Sequence, residues 1–215
     1  MAVQEQTTKE VADNIVAVNV SLEDYMAHYA ADHCEWVEGV VIKMSPVTSQ
    51  HDRLTYFLRQ LLEAFFELRP IGIVKSQPFM MRLEAFPKRR REPDLFVILH
   101  TNPHELKNTY MDGPADIVIE VVSEESVKRD HGEKFIEYEK GGVPEYWIVD
   151  PIHEESRFYR LHEDGRYRRQ AEDSDGHYQT PALSGLKIHV PTLWQAELPG
   201  PGATFAAVQA MLETS

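Results

Sequence analysis

DIVIEVVSEES, residues 116–126, is the stretch on which the reading of this chain turns. From Asp116 to Val122 nearly every side chain is apolar and most are β-branched, the pattern of a strand buried on both faces. Glu120 interrupts that run. An unpaired carboxylate in a low-dielectric interior costs several kcal/mol, comparable with a domain's whole stability margin, so a compensating charge is to be sought elsewhere in the chain.

The sequence after the strand offers one. Side chains alternate along a strand, so Glu120 shares its face with Val118 and Val122. From Glu120 the strand runs on to Ser123, roughly 10 Å at about 3.3 Å per residue. A helix that begins near Val127 and returns antiparallel reaches Lys134 after roughly 10 Å, at about 1.5 Å per residue. The two distances cancel, so Lys134 is expected level with Glu120. It shares a helix face with Val127, Asp130 and Tyr138, which directs it inward, and Asp130 is its expected i,i+4 partner.

A second acid sits at the head of another apolar run, EPDLFVIL (92–99). Pro93 suits an edge position or the first residue of a strand, where no ladder donor is needed, and Asp94 follows it. Carboxylates on neighbouring strands can chelate Mg²⁺ or Mn²⁺, hard cations that take oxygen ligands and keep several waters. Such a cation polarises a phosphoryl oxygen and acidifies a bound water, with the lysine orienting that water or stabilising phosphorane charge. This is the chemistry of phosphodiester hydrolysis.

Around these residues the organisation is legible. SLEDYMAHYA opens a short helix capped by Ser21 with Asp24 three residues on. CEWVEGVVIKMSP reads as a hairpin about Glu38-Gly39, ended by Pro46. Leu54, Phe57, Leu58, Leu61, Leu62, Phe65 and Phe66 recur at three and four within residues 50–68, an amphipathic helix docked on the core. IVKSQPFMMRL, EPDLFVIL and DIVIEVV read as strand-like, with HTNPHELKNTYMDGPA an irregular loop between the last two. Val127 to Lys140 reads as a helix ended by Gly141-Gly142. EYWIVDP is a buried strand stopped by Pro151, its aromatic residues core. RFYRL and RYRRQA flank the Asp164-Gly165 turn as a hairpin, and LKIHV adds an edge strand. The expectation is one α/β or α+β domain over residues 19–198 with a mixed sheet, a loose arm at 1–18, and a tail or short helix at 199–215.

Composition bounds the function. The chain has 215 residues, 42% hydrophobic and 27% charged, an ordinary globular mixture with room for a substantial core. The single Cys34 forms no internal disulfide, no Cys/His cluster suggests structural zinc, and MAVQEQTTKE lacks the regions of a signal peptide, so a reducing cytoplasm is expected. No apolar run reaches the roughly 18 residues of a membrane helix. A formal net charge of −13 argues against a broad nonspecific grip on nucleic acid. A cation bound among the acids would offset part of that charge. KRRRE (88–92) reads as a solvated turn or, alternatively, a phosphate clamp.

In its order of CEWVEGVVIKMSP, QHDRL, EPDLFVIL, DIVIEVVS and RDHGEKFIEYEKGGVPEYWIVDP, the sequence resembles the Uma family of "putative restriction endonucleases", within the PD-(D/E)XK nuclease superfamily. The likeness spans roughly residues 20–195 and is most specific from Asp116 to Pro151. It implies a restriction-endonuclease-like core with a mixed central sheet flanked by helices and extra antiparallel hairpins. It also implies metal-ligand roles for Asp94 and Glu120. The superfamily's usual lysine two residues after the second acid is Val122 here, and in the Uma pattern a lysine on the next helix takes over, matching Lys134. Glu35 aligns with an acid of the family's first hairpin, and His51 with a histidine opening its long helix.

The expected function is therefore a Mg²⁺- or Mn²⁺-dependent endonuclease acting on nucleic acid, DNA in the first place. Asp94 and Glu120 hold the metal, and Lys134, Glu35 and His51 complete the site. By analogy a homodimer would make two cuts in a duplex. Each assignment has a plainer counterpart: Glu120 and Lys134 as a buried salt bridge, Asp94 as a loop cap, His51 as a helix-start residue bonding local backbone. In that case the chain is a noncatalytic, nucleic-acid-associated or regulatory module retaining the nuclease fold.

Overall fold

The computed structural model describes residues 14–44, 47–124 and 126–213. Along the chain lie β1 (Ile15–Ala17), α1 (Leu22–His28), β2 (Cys34–Val37), β3 (Val40–Lys43), α2 (Ser49–Leu68), β4 (Gly72–Ser76), β5 (Met80–Arg82) and β6 (Arg89–Arg90). Then come β7 (Leu95–Leu99), β8 (Glu105–Leu106), β9 (Tyr110–Asp112), β10 (Ile117–Val121), a π-helical turn (Arg129–Glu133) leading into α3 (Lys134–Gly141), and β11 (Glu145–Asp150). The chain closes with β12 (Glu155–Leu161), β13 (Tyr167–Gln170), β14 (His177–Gln179), β15 (Lys187–His189), α4 (Val190–Leu193) and α5 (Pro201–Glu213).

Local chemistry explains most boundaries. Ser21 caps α1 by accepting the Asp24 N–H at 3.0 Å, and Thr48 caps α2 by accepting the N–H of His51 at 3.2 Å. Glu38 and Gly39 take φ of 53° and 89°, the two left-handed positions that a tight β2–β3 hairpin needs. Gly142 ends α3 at φ 80°.

A six-stranded mixed sheet in the order β13-β12-β11-β10-β7-β4 forms the centre. Only β10 and β11 run parallel, joined by the crossover through α3. Alternation along β10 splits the core in two: Ile117, Ile119 and Val121 pack with α2 and Trp147, whereas Val118 and Val122 pack with Tyr138, Tyr146 and Phe96 on the α3 side. The strand is buried on both faces, as its composition requires. Glu120 faces the α3 side.

A four-stranded antiparallel sheet, β1-β3-β2-β6, stands against this core. Its first strand lies in the stretch expected as a loose arm; residues 1–13 and the expected strand end at Pro46 lie outside the described residues. IVKSQPFMMRL is not one strand. Pro78 has no N–H to donate, the chain turns after Ser76, and the two halves join different sheets, β4 the central one and β5 a small sheet with β9 and β8. The loop expected to be irregular supplies β8 and β9. β15 pairs with β14 alone instead of edging the main sheet. The helix expected from Val127 opens with the π-helical turn and is α-helical only from Lys134. The C-terminal segment is a 13-residue helix whose Val208 and Leu212 join the α2 core.

KRRRE is neither a solvated turn nor a phosphate clamp. Arg91 is buried and donates to Glu35 at 2.6 Å and, through two nitrogens, to Glu137 at 2.9 and 2.6 Å; Arg89 links Glu137 onward to Glu38. These pairs tie α3 to the four-stranded sheet, and the bidentate fork is a guanidinium geometry.

Candidate active site

β7 begins at Leu95, opposite Ile119, so Val121 has no β7 carbonyl to bond. The Asp94 side chain takes that place, its Oδ2 accepting the Val121 N–H at 2.7 Å. The same oxygen lies 3.1 Å from Nε2 of His51, in the first turn of α2, and Oδ1 accepts from the Gln77 amide just past β4. Three chain segments thus fix one carboxylate at the sheet's end. The His51 imidazole is subject to burial, which disfavours its charge, and to the Asp94 hydrogen bond, which favours it; the net shift is upward.

Glu120 Oε1 accepts from Lys134 Nζ at 3.0 Å and from the Tyr138 hydroxyl at 2.8 Å. Lys134 is also 3.2 Å from Asp130 Oδ1 and 3.8 Å from Glu35 Oε1, and is 1% exposed. Burial works against its charge, but Asp130, Glu120 and Glu35 more than offset it and hold the amine protonated well above the usual lysine range. Glu120 responds oppositely: burial pushes its carboxyl up to about 8, and Lys134 pulls down only part of that rise, opposed by Asp94 and Asp130. Glu35 is also buried, yet Arg91 and Lys134 bring it down to about 2.

Asp94, Glu120, Asp130, Lys134 and His51 line one small cavity of about 40 Å³, joined by Arg129. A larger groove of about 740 Å³ shares His51, Gln77 and Asp94 with it and opens outward. The structure therefore brings together Asp94, Glu120, Lys134 and His51. Glu35 touches the group only through Lys134 and is otherwise committed to Arg91 and to the Glu92 N–H.

Among the described residues no three His, Cys, Asp or Glu side chains are grouped to hold a metal. A site for a zinc-like ion is not formed. Two carboxylates on a small cavity that meets a wider groove suit a hard cation whose remaining waters lie toward the groove. The charge balance points the same way: the buried carboxylates Glu35, Glu92, Asp94, Glu120, Asp130 and Glu137 outnumber the cations Arg89, Arg90, Arg91 and Lys134, and neither Glu92 oxygen has a hydrogen-bond donor among the described residues. The donor set fits Mg²⁺ or Mn²⁺ at Asp94 and Glu120.

Reading the sequence alone missed Gln77, since its approach to Asp94 depends on the chain turning at Pro78. Tyr138 was visible only as a neighbour on the Lys134 face; nothing in its spacing marked the hydroxyl as a donor to Glu120.

No curated protein matches the chain in sequence. Among solved structures, a protein from Anabaena variabilis ATCC 29413 described as a "putative nuclease belonging to DUF820" superposes with a TM-score of 0.68 at 16% identity, covering 81% of this chain and 97% of its own. At that identity the likeness speaks for the fold, a restriction-endonuclease-like core of mixed sheet and flanking helices. The model of one family, Uma2, described as "Putative restriction endonuclease", matches residues 22–191, and by that match the chain belongs to the Uma2 family.

Proposed function

We propose that the protein is a metal-dependent endonuclease that hydrolyses phosphodiester bonds, with DNA as substrate and Mg²⁺ or Mn²⁺ held by Asp94 and Glu120. The observation that carries this reading is the convergence of Asp94, Glu120 and Lys134 on one small cavity that meets a wider groove. When bound, such a cation supplies the charge that polarises a phosphoryl oxygen and acidifies water. The chain supplies the rest. Lys134, kept protonated by three carboxylates, is no general base; it donates to a phosphate oxygen and stabilises charge developing there. Asp130 and Glu35 hold that amine in place, Tyr138 and Lys134 orient Glu120, and His51 and Gln77 orient Asp94.

The test is cleavage of plasmid or oligonucleotide DNA with Mg²⁺ or Mn²⁺, wild type against Glu120→Ala. Cutting by the wild type alone supports the assignment; equal activity in both removes it. The noncatalytic module has one observation in its favour: Asp94 and Glu120 are already hydrogen-bonded by protein donors without a cation. Calorimetry separates the readings, because a folded wild type with no affinity for either cation supports the module.

A further inference from the structure

The groove that opens from Asp94 does not stop there. A second groove of about 500 Å³ adjoins the first of about 740 Å³ through shared Ala31 and Ser76. One helix face runs beside both: His51 and Thr55 line the first and Arg59 the second, at i, i+4 and i+8 of α2. From His51 to Arg59 that wall measures about 12 Å at 1.5 Å per residue, roughly the length of three stacked nucleotides at 3.4 Å each.

The far end has the makeup of a base platform. Phe79 is half-buried against Phe96 at 6.0 Å between ring centroids, and Lys75 Nζ lies over its ring, 5.1 Å from the centroid, where an incoming base would take its place. Arg59, on the same groove, is held by Ser76 and by an exposed pair with Glu63, a surface contact weak enough to exchange for a phosphate. Lys43 stands on the wall of the first groove. In a chain of net charge −13, three cations along one trough mark a path for a polyanion, while Asp32 and Asp52 on the first groove limit the number of phosphates it takes. Volumes of this order are those of pockets for small molecules. Grooves of this size suit an unpaired nucleotide better than a base pair stacked within a duplex.

We propose that the two grooves form one trough for a single polynucleotide strand, which runs from the mouth of the Asp94 site to an unpaired base seated on Phe79 beside Arg59 and Lys75. The proposal rests on the nuclease reading for its polarity, but its own content is recognition of an unstacked strand. Bases stacked on an aromatic ring with a cation beside it are bound without sequence readout.

The experiment is fluorescence anisotropy with the full chain carrying Glu120→Ala. The probes are a labelled 12-nucleotide DNA strand, an RNA of the same sequence, and the matching blunt DNA duplex. At least tenfold tighter binding of either single strand than of duplex is expected. Phe79→Ala should weaken strand binding about tenfold, and Lys75→Gln should reduce the magnitude of the salt slope by about one. Phe79→Leu, which keeps the packing against Phe96 and removes the ring face, should weaken binding like Phe79→Ala and guards against a folding defect. Duplex bound as tightly as strand, no binding of any probe, or a Phe79→Leu protein that binds like its parent each overturns the trough. Cleavage is read separately with the wild-type site. Cutting of duplex with Phe79 immaterial leaves the nuclease and removes the trough; strand binding without cutting by any metal does the reverse.

Discussion

Lys134 Nζ stands 3.0 Å from Glu120 Oε1, although one is borne by α3 and the other by the strand before it, and neither side chain is more than 2% exposed. Removing the amine leaves Glu120, Asp130 and Glu35 facing one another in the interior. Lys134→Met should therefore destabilise the protein by about 3–5 kcal/mol, the cost of stranding a buried charge. Glu120→Gln should cost far less, since the Glu120 carboxyl already sits at about 8 and is easily kept neutral. Combining Lys134→Met with Glu120→Gln should recover part of the loss. Denaturant unfolding of the four proteins gives the coupling directly; additive losses would show that the pair does not interact.

Glu92 is fully buried, and neither of its oxygens accepts a hydrogen bond from a described residue. Burial first, and the adjacent Glu35 second, push its carboxyl up to about 8. A raised carboxylate binds its proton more tightly in the folded state than in the unfolded chain, so it erodes stability as pH rises from about 4.5 to about 8, with no further change above. Glu92→Gln should stabilise the protein at pH 8 and do little at pH 4. In thermal unfolding with a chelator present, each kcal/mol gained should appear as roughly 2–4 °C. Equal gains at both pH values would disprove the titration.

Glu35 has the opposite sign. Despite complete burial, Arg91 and Lys134 lower its carboxyl from 4.5 to about 2. Its contribution is fully present above about 4.5 and is lost as pH falls through about 2. Glu35→Gln should cost about 3 kcal/mol at pH 7, because Arg91 loses one carboxylate partner in the interior. Wild type and variant should converge in stability on acidification, a pattern followed by urea unfolding across the acid range. A gap that persists unchanged at pH 2 would refute the ion pair as its source.

The sequence was most informative where one segment sets its own geometry. The nearly unbroken apolar, β-branched run in residues 116–122 announced a doubly buried strand, and strand rise set against helix rise carried Lys134 back to Glu120 even though the helix opens with a π-helical turn at Arg129–Glu133. It was least informative where position depends on a distant partner. Arg91 reads as part of a soluble basic run until Glu137, on a helix far along the chain, takes both ends of its guanidinium. Gln77 and Pro78 sit inside what looks like one strand, yet the turn there sends β4 and β5 into separate sheets and leaves the Gln77 amide pointing at Asp94. No local periodicity encodes such meetings.

That approach of Gln77 to Asp94 gives the last prediction. Three groups donate to or share protons with the Asp94 carboxylate, the Val121 N–H, the Gln77 amide and His51. The backbone donor alone cannot fix the rotation of the second oxygen. Gln77→Ala and His51→Ala should each lower Mn²⁺ affinity and DNA cleavage by about 10–100-fold, the usual effect of removing a partner that orients a ligand. Stability should change little, since Gln77 is only half-buried and His51 keeps its backbone N–H on Thr48. Calorimetry and single-turnover cleavage on the same preparations distinguish the two effects: a loss of rate at saturating Mn²⁺ with unchanged affinity would mean that these side chains meet the substrate instead of positioning Asp94.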